Sequence, residues 1–162
     1  MKLKRTHVLA ATVAVAMVGT LTGVALGSPP SGFVGKDPVV TANLDAAVDL
    51  DSDGVEFETE GPTDVRVQKV VISPGGFSGW HHHPGIVIVA VKSGEVTFTN
   101  SDCSSKTYSL DPNNPNGSVF VEGGDDPGQA SSVTGAKLIA TFVAPDANPP
   151  VFRIEDDPPP CA

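Results

Sequence analysis

The sequence predicts an all-β domain, an antiparallel sandwich or barrel, and three observations carry that expectation. Short runs rich in Val, Ile, Thr and Phe recur along the chain: VEFETE, DVRVQKVVIS, GIVIVAV, EVTFTN, KTYSL, SVFVE and AKLIATFV. Turn-forming segments separate most of them: SPGGFSG, KSG, DPNNPNG, EGGDDPG and VTG. Several runs alternate apolar and polar residues, the period of a strand with one face in a core. β-Branched and aromatic side chains fit a pleated, half-buried surface, and short strands at regular intervals read as a sandwich or barrel. Only TANLDAAVDL, residues 41–50, is compatible with a helix.

Taken in order, the first element is a targeting segment, residues 1–27. Lys2, Lys4 and Arg5 form a basic start, Val8 to Leu26 is an apolar run, and Ala25-Leu26-Gly27 offers small side chains at the positions a signal peptidase reads. That is the plan of a secretory signal peptide. An uncleaved anchor is the competing reading, but Thr and Gly interrupt the run and no basic stop-transfer flank follows it. The expected product is secreted, with no membrane contact after cleavage. Residues 28–37, rich in Pro, Gly and Ser, read as a linker, and residues 38–162 as one domain. The formal charge of the 162-residue chain is -9, and removal of the basic start makes it more negative. An acidic surface repels polyanions, so nucleic acid is not an expected partner.

The next stretch, DLDSDGVEFETE, places Asp49, Asp51, Asp53, Gly54 and Glu60 at the positions of a calcium-binding loop. The sequence context argues against one. Gly61-Pro62 forbids an immediate exit helix, and VEFETE has the alternation of a strand.

Residues 79–96, GWHHHPGIVIVAVKSGEV, hold three of the four histidines. Ile86 to Val91 is apolar on both faces, whereas a strand with one solvated face alternates. Its outer face needs a cover, and a second copy of the chain, giving a homodimer through 86–91, is one candidate; the N-terminal segment is another. In an extended strand His81 and His83 share one face, with His82 and Trp80 on the other. Trp80 reads as a packing residue, or as part of an outer binding surface.

The spacing of Gly75, His81, His83 and Gly94 resembles the first motif of the cupin superfamily: Gly, five residues, His-x-His, three or four residues, Glu, six residues, Gly. The context PGGFSGWHHHPG is similar to that of small secreted bacterial single-domain cupins. The resemblance implies a six-stranded β-barrel within a jelly-roll-like double sheet, with motif one at 75–94 and a degraded motif two at 117–132. It also implies a divalent metal (Fe, Mn, Zn or Ni) held by the two histidines, a Glu and a further His. Here Val87 stands at the Glu position and Gly128 at the position of the last His. Asp125, Asp126 and Gln129 lie close to the gap in sequence.

Three functional readings follow, the third of them an interaction protein whose apolar strand 86–91 builds a dimer. The first is a non-catalytic module that binds a small ligand through His81, His83, Val87 and Gln129, with an incomplete metal site. The second is a metal-dependent enzyme of oxygenase or isomerase type that uses His81 and His83 with a nonstandard third ligand. No nucleophile constellation or phosphate-binding loop offers another chemistry.

The two cysteines, Cys103 and Cys161, lack Cys-x-x-Cys spacing. In an exported protein pairing is the default. A Cys103–Cys161 bridge would pin the Pro-rich tail across the domain and stabilise it by roughly 3–4 kcal/mol on the chain-entropy model. Thiol titration of denatured, unreduced protein should find no free thiol, and two titratable thiols would rule the bridge out.

Overall fold

The computed structural model describes residues 29–160 and 162, and its regular structure there consists of strands alone. They are β1 (Ser31–Leu44), β2 (Asp49–Ser52), β3 (Val55–Glu58), β4 (Thr63–Phe77), β5 (His81–Asn100), β6 (Ser105–Ser109), β7 (Val119–Ser132), β8 (Ala136–Pro145) and β9 (Ile154–Glu155). The expected signal peptide and Cys161 lie outside the described residues. Among the described residues no cysteine is free, and no helix is long and apolar enough to cross a membrane.

A closed ladder organises the domain. β4 pairs with β8 from Thr63 opposite Pro145 to Ile72 opposite Ala136. β8 pairs on its other edge with β5, from Ile86 opposite Val143 to Gly94 opposite Ala136. β5 meets β7 at His81 and His83, opposite Gly128 and Gly124, and in two further runs, Ile86–Ala90 against Gly123–Val119 and Thr97–Asn100 against Ser131–Gly128. β7 returns to β4 at Gly76–Ser132 and Phe77–Ser131. The circuit β4–β8–β5–β7–β4 therefore closes, and this is the all-β barrel that was expected. Closure removes the edges of these strands.

The long strands must bend to close the circuit, and glycines permit it. Gly94 has φ +79, and a Cβ there would lie 2.1 Å from the Gly135 carbonyl oxygen. Gly123 has φ +144, and a Cβ would lie 2.0 Å from the Gly85 carbonyl oxygen. Neither position accepts a side chain without moving backbone.

The core gathers inside the barrel. Val87, Val89 and Val91 of β5 pack with Phe120 of β7, Leu138, Ala140 and Phe142 of β8, and Val70 and Ile72 of β4. The outer row of β5 behaves differently. Ile86 and Ile88 are 44% and 41% exposed, beside the exposed Val119 and Val121. Among the described residues the N-terminal segment does not cover this row, because β1 pairs with β4. Trp80 is buried, in keeping with packing and not with an outer binding surface.

Two expectations need correction. Residues 31–37, read as linker, belong to β1, whose Phe33 packs against the core. Pro38, which breaks the ladder by lacking an N–H, sits between two register shifts of this edge strand and is tolerated there. The stretch 41–50 is not a helix: Thr41–Leu44 continue the pairing with Arg66–Thr63.

The calcium-loop pattern is a β-hairpin. Asp49 lies opposite Glu58, and Asp51 opposite Glu56. The turn is Asp53-Gly54, with φ 52 and 81, the paired positive values of a tight hairpin turn. Extended backbone separates Asp49 from Asp53 by about 13 Å, so these oxygens cannot converge on one ion. Millimolar calcium should leave the thermal midpoint of the protein unchanged. A calcium-induced rise abolished by Asp49→Ala would contradict this account.

Candidate metal centre

The site is built from the start of β5, the middle of β7 and the C-terminal segment. His81 and His83 point inward as alternation requires, and both are 5% exposed. His82 points away and its Nδ1 contacts the Asp156 carboxylate at 2.7 Å. The C-terminal segment crosses the histidines: β9 pairs Glu155 with His81 and Ile154 with His82, and the Asp156 amide donates to the Trp80 carbonyl.

Backbone carbonyls from this strap and from the β4–β5 connection fix the tautomers of the two inward imidazoles. His83 donates its Nδ1–H to the carbonyl of Phe152. His81 donates its Nδ1–H to the carbonyl of Gly79 at 2.9 Å. Each ring therefore presents an unprotonated Nε2 to the interior, the tautomer a metal requires. The rings lie edge to face, with centroids 4.8 Å apart. Burial, aided by the charge of Arg153, lowers the pKa of His81 to about 3. Burial lowers that of His83 as well, against the pull of its bond to Phe152.

The carboxylate missing from the expected position comes from the neighbouring strand. Val87 is 1% exposed and belongs to the core. Its register partner on β7 is Glu122, so the acid enters one strand across from the motif position. Glu122 Oε1 lies 3.7 Å from His83 Nε2, and one donor atom from each of His81, His83 and Glu122 falls within 4.8 Å of the others. At 3.7 Å the His83–Glu122 contact is not a hydrogen bond. It is not an ion pair either, since His83 is held neutral. Burial raises the Glu122 pKa to about 7, with Arg153 opposing the rise. His83 Nε2 is buried with no hydrogen-bond partner.

These features fit a metal. Two neutral imidazole nitrogens and a carboxylate are the donor set of divalent transition-metal centres. Donors sharing an ion at ~2.1 Å lie ~3.4 Å apart at tetrahedral angles, so a pair at the 4.8 Å limit would need to close by about 1.4 Å on binding, within reach of side-chain rotation. A buried nitrogen lone pair without a donor is costly unless something occupies it.

The sequence alone places no carboxylate beside the histidines; the structure brings Glu122 there, completing a group of three side chains that could hold a metal. The legible signal was alternation. In the run SVFVE, alternation puts Glu122 on the same face as Phe120, a core residue in the structure. Gly128 lines the same recess, and a Cβ there would meet the end of the Phe98 ring at 2.3 Å, so a side chain at this position would require Phe98 to shift. Gln129 is not near the triad; it lines a separate recess with Phe77, Trp80, Thr99 and Cys103. Asp126 borders the outer cavity, which Asp125 does not line.

The triad stands between two cavities. One, of about 570 Å³, opens past Phe98, Asn100, Val121 and Gly128. The other, of about 230 Å³, lies inside the barrel against Val89, Leu138, Phe142 and Phe152, with Arg66 and Gln68 in its wall. His81, His83 and Glu122 line both.

No protein-family model and no curated protein matches the chain. Among solved structures, a conserved protein of unknown function from Streptococcus pyogenes is 20% identical over 51% of this chain and 67% of its own, with a TM-score of 0.44. Salicylate 1,2-dioxygenase from Pseudaminobacter salicylatoxidans is 13% identical over 48% of this chain, with a TM-score of 0.40. The match spans only 20% of the dioxygenase chain.

The two shifted groups have opposite consequences for the metal-free protein. Glu122 binds its proton more tightly folded than unfolded, so its stabilising contribution is present below its ordinary 4.5 and is lost as pH rises through about 7. His81 is stabilising in its neutral form; that contribution is present above 6.5 and is lost as pH falls toward 3. Denaturant midpoints of metal-free protein and Glu122→Gln, compared across this range, should show the variant gaining on wild type between pH 4.5 and 7. A constant difference would show that Glu122 does not titrate there.

Proposed function

We propose that this chain is a metal-dependent protein of cupin type that holds one divalent transition metal on His81, His83 and Glu122 and binds a small molecule beside it. The observation that carries this reading is His83 Nε2, buried without a hydrogen-bond partner and facing a carboxylate at 3.7 Å. The Nδ1 bonds to backbone carbonyls are the outer-shell contacts that orient metal-bound histidines. Val87, with its apolar side chain, serves as packing beside the site and not as a ligand.

Three protein ligands leave coordination positions free, the arrangement of catalytic more than of structural metal sites. That favours the enzymatic reading over a non-catalytic module. Two histidines with one carboxylate suit Fe(II), and Mn, Zn or Ni also accept such donors. The metal, when bound, would supply oxygen activation or polarisation of a substrate oxygen. The protein's own part is to hold both Nε2 atoms bare, keep the carboxylate buried and give a small substrate access from the two cavities. Secretion, and self-association through the exposed outer row of β5, belong to this same proposal.

Metal analysis and calorimetric titration of protein purified without an affinity tag should find one metal per chain. His81→Ala, His83→Ala and Glu122→Gln should each weaken binding at least tenfold, since loss of an outer-shell partner alone costs about 10–100-fold. Val87→Ala should retain the metal despite lower stability. Binding that survives Glu122→Gln unchanged would defeat the reading.

A further inference from the structure

The inner cavity carries a charge that the metal reading does not use. β4 turns Asp64, Arg66, Gln68, Val70 and Ile72 inward, while Val65 and Val67 lie half-buried on the outer face. A hydrophobic reading of the alternation would choose the opposite face. The guanidinium carbon of Arg66 sits 4.0 Å over the Phe152 ring, and its Nε donates to Thr41 Oγ1 at 3.2 Å. Among the described residues no carboxylate pairs with it, and neither terminal nitrogen donates to the protein.

The second cavity guanidinium differs. Arg153 donates from Nε and Nη2 to the Glu155 carboxylate and from Nη2 to the Ser78 carbonyl, so its charge is matched. In a chain with 19 acidic and 10 basic residues, an inward arginine without a counter-charge is not explained by a shortage of acids. A guanidinium whose two terminal nitrogens are unused has the fork that matches a carboxylate.

Register places Arg66 relative to the triad. Arg66 lies opposite Phe142, Phe142 opposite Val87, and Val87 opposite Glu122. Three inter-strand steps are about 14 Å along the curved wall, and less across the interior. The cavity between, about 230 Å³, has room equivalent to roughly seven or eight waters. Its walls are mainly apolar.

We propose that the inner cavity binds a small organic monocarboxylate with an apolar body. Arg66 holds the carboxylate, Phe142, Phe152, Val89 and Leu138 contact the body, and the far end lies at His81, His83 and Glu122. This assignment of a substrate class rests on reading the triad as the metal site, but the anion anchor is a separate residue and is tested separately.

The test compares benzoate with benzamide, which share a ring and differ in charge. Calorimetry on the tag-free chain, metal-free and loaded with Zn²⁺, should show benzoate binding at least tenfold more tightly than benzamide. Arg66→Gln should reduce that preference below twofold while the Zn²⁺ stoichiometry stays at one per chain. Arg66→Lys, which keeps the charge but not the fork, should retain part of the preference. A purely structural Arg66 would change stability without changing the acid-to-amide ratio. Equal binding of acid and amide by wild type, binding of neither, or an unchanged ratio in Arg66→Gln overturns the inference. A benzoate preference in a protein that takes up no Zn²⁺ supports the anion site and defeats the metal reading instead.

Discussion

The hydrogen bond from His83 Nδ1 to the carbonyl of Phe152 is the constraint on which the site depends. An imidazole free to choose would present either nitrogen to the interior. With Nδ1 committed to a backbone carbonyl, Nε2 is left as a bare lone pair directed at Glu122 and His81. The same carbonyl belongs to a residue whose ring packs on Phe142 at 5.8 Å and lies under Arg66 at 4.0 Å. One residue of the C-terminal segment thus couples the tautomer of a ligand, the packing of the barrel mouth and the position of the cavity cation.

Barrel closure makes this arrangement possible. The long strands β4, β5 and β7 each contribute more than one paired segment, and the bends between segments fall where glycine backbones pack against neighbouring carbonyls. Closure brings β7 alongside β5, so that Glu122 arrives at the level of Val87. A site of this kind tolerates relocation of its acid because adjacent strands present side chains to the same interior at the same height. Burial then sets its chemistry. The histidines are kept neutral by desolvation, and the carboxyl is raised by the same cause.

The polar face of β4 is the second departure from a simple core. Asp64, Arg66 and Gln68 occupy inward positions that an all-apolar barrel would give to Val65 and Val67. Asp64 is tied by Ala147 and Asn43 at the end of the barrel. Arg66 has no such acidic partner among the described residues. Arg66 is half-buried, so its terminal nitrogens stay open to solvent or to an anion entering the cavity.

The strand content, the turns, the inward pair His81 and His83, and the absence of a carboxylate at Val87 were all legible in the sequence. They depend on a period of two and on backbone chemistry that each segment carries locally. Gly61-Pro62 and the alternation of VEFETE likewise argued against a calcium loop, and the hairpin agrees. Three features were not legible. Residues 31–37 have linker composition, but they gain a partner in β4 that no local signal announces. The strap at 152–156 orients both ends of the histidine stretch from about seventy residues away. Glu122 comes beside the histidines only through the register of β7 against β5. Local sequence determined which residues form strands and which side chains of a strand point together. Only the closure of the barrel, a set of long-range pairings with no local period, decided which strands face one another and therefore which acid meets the histidines.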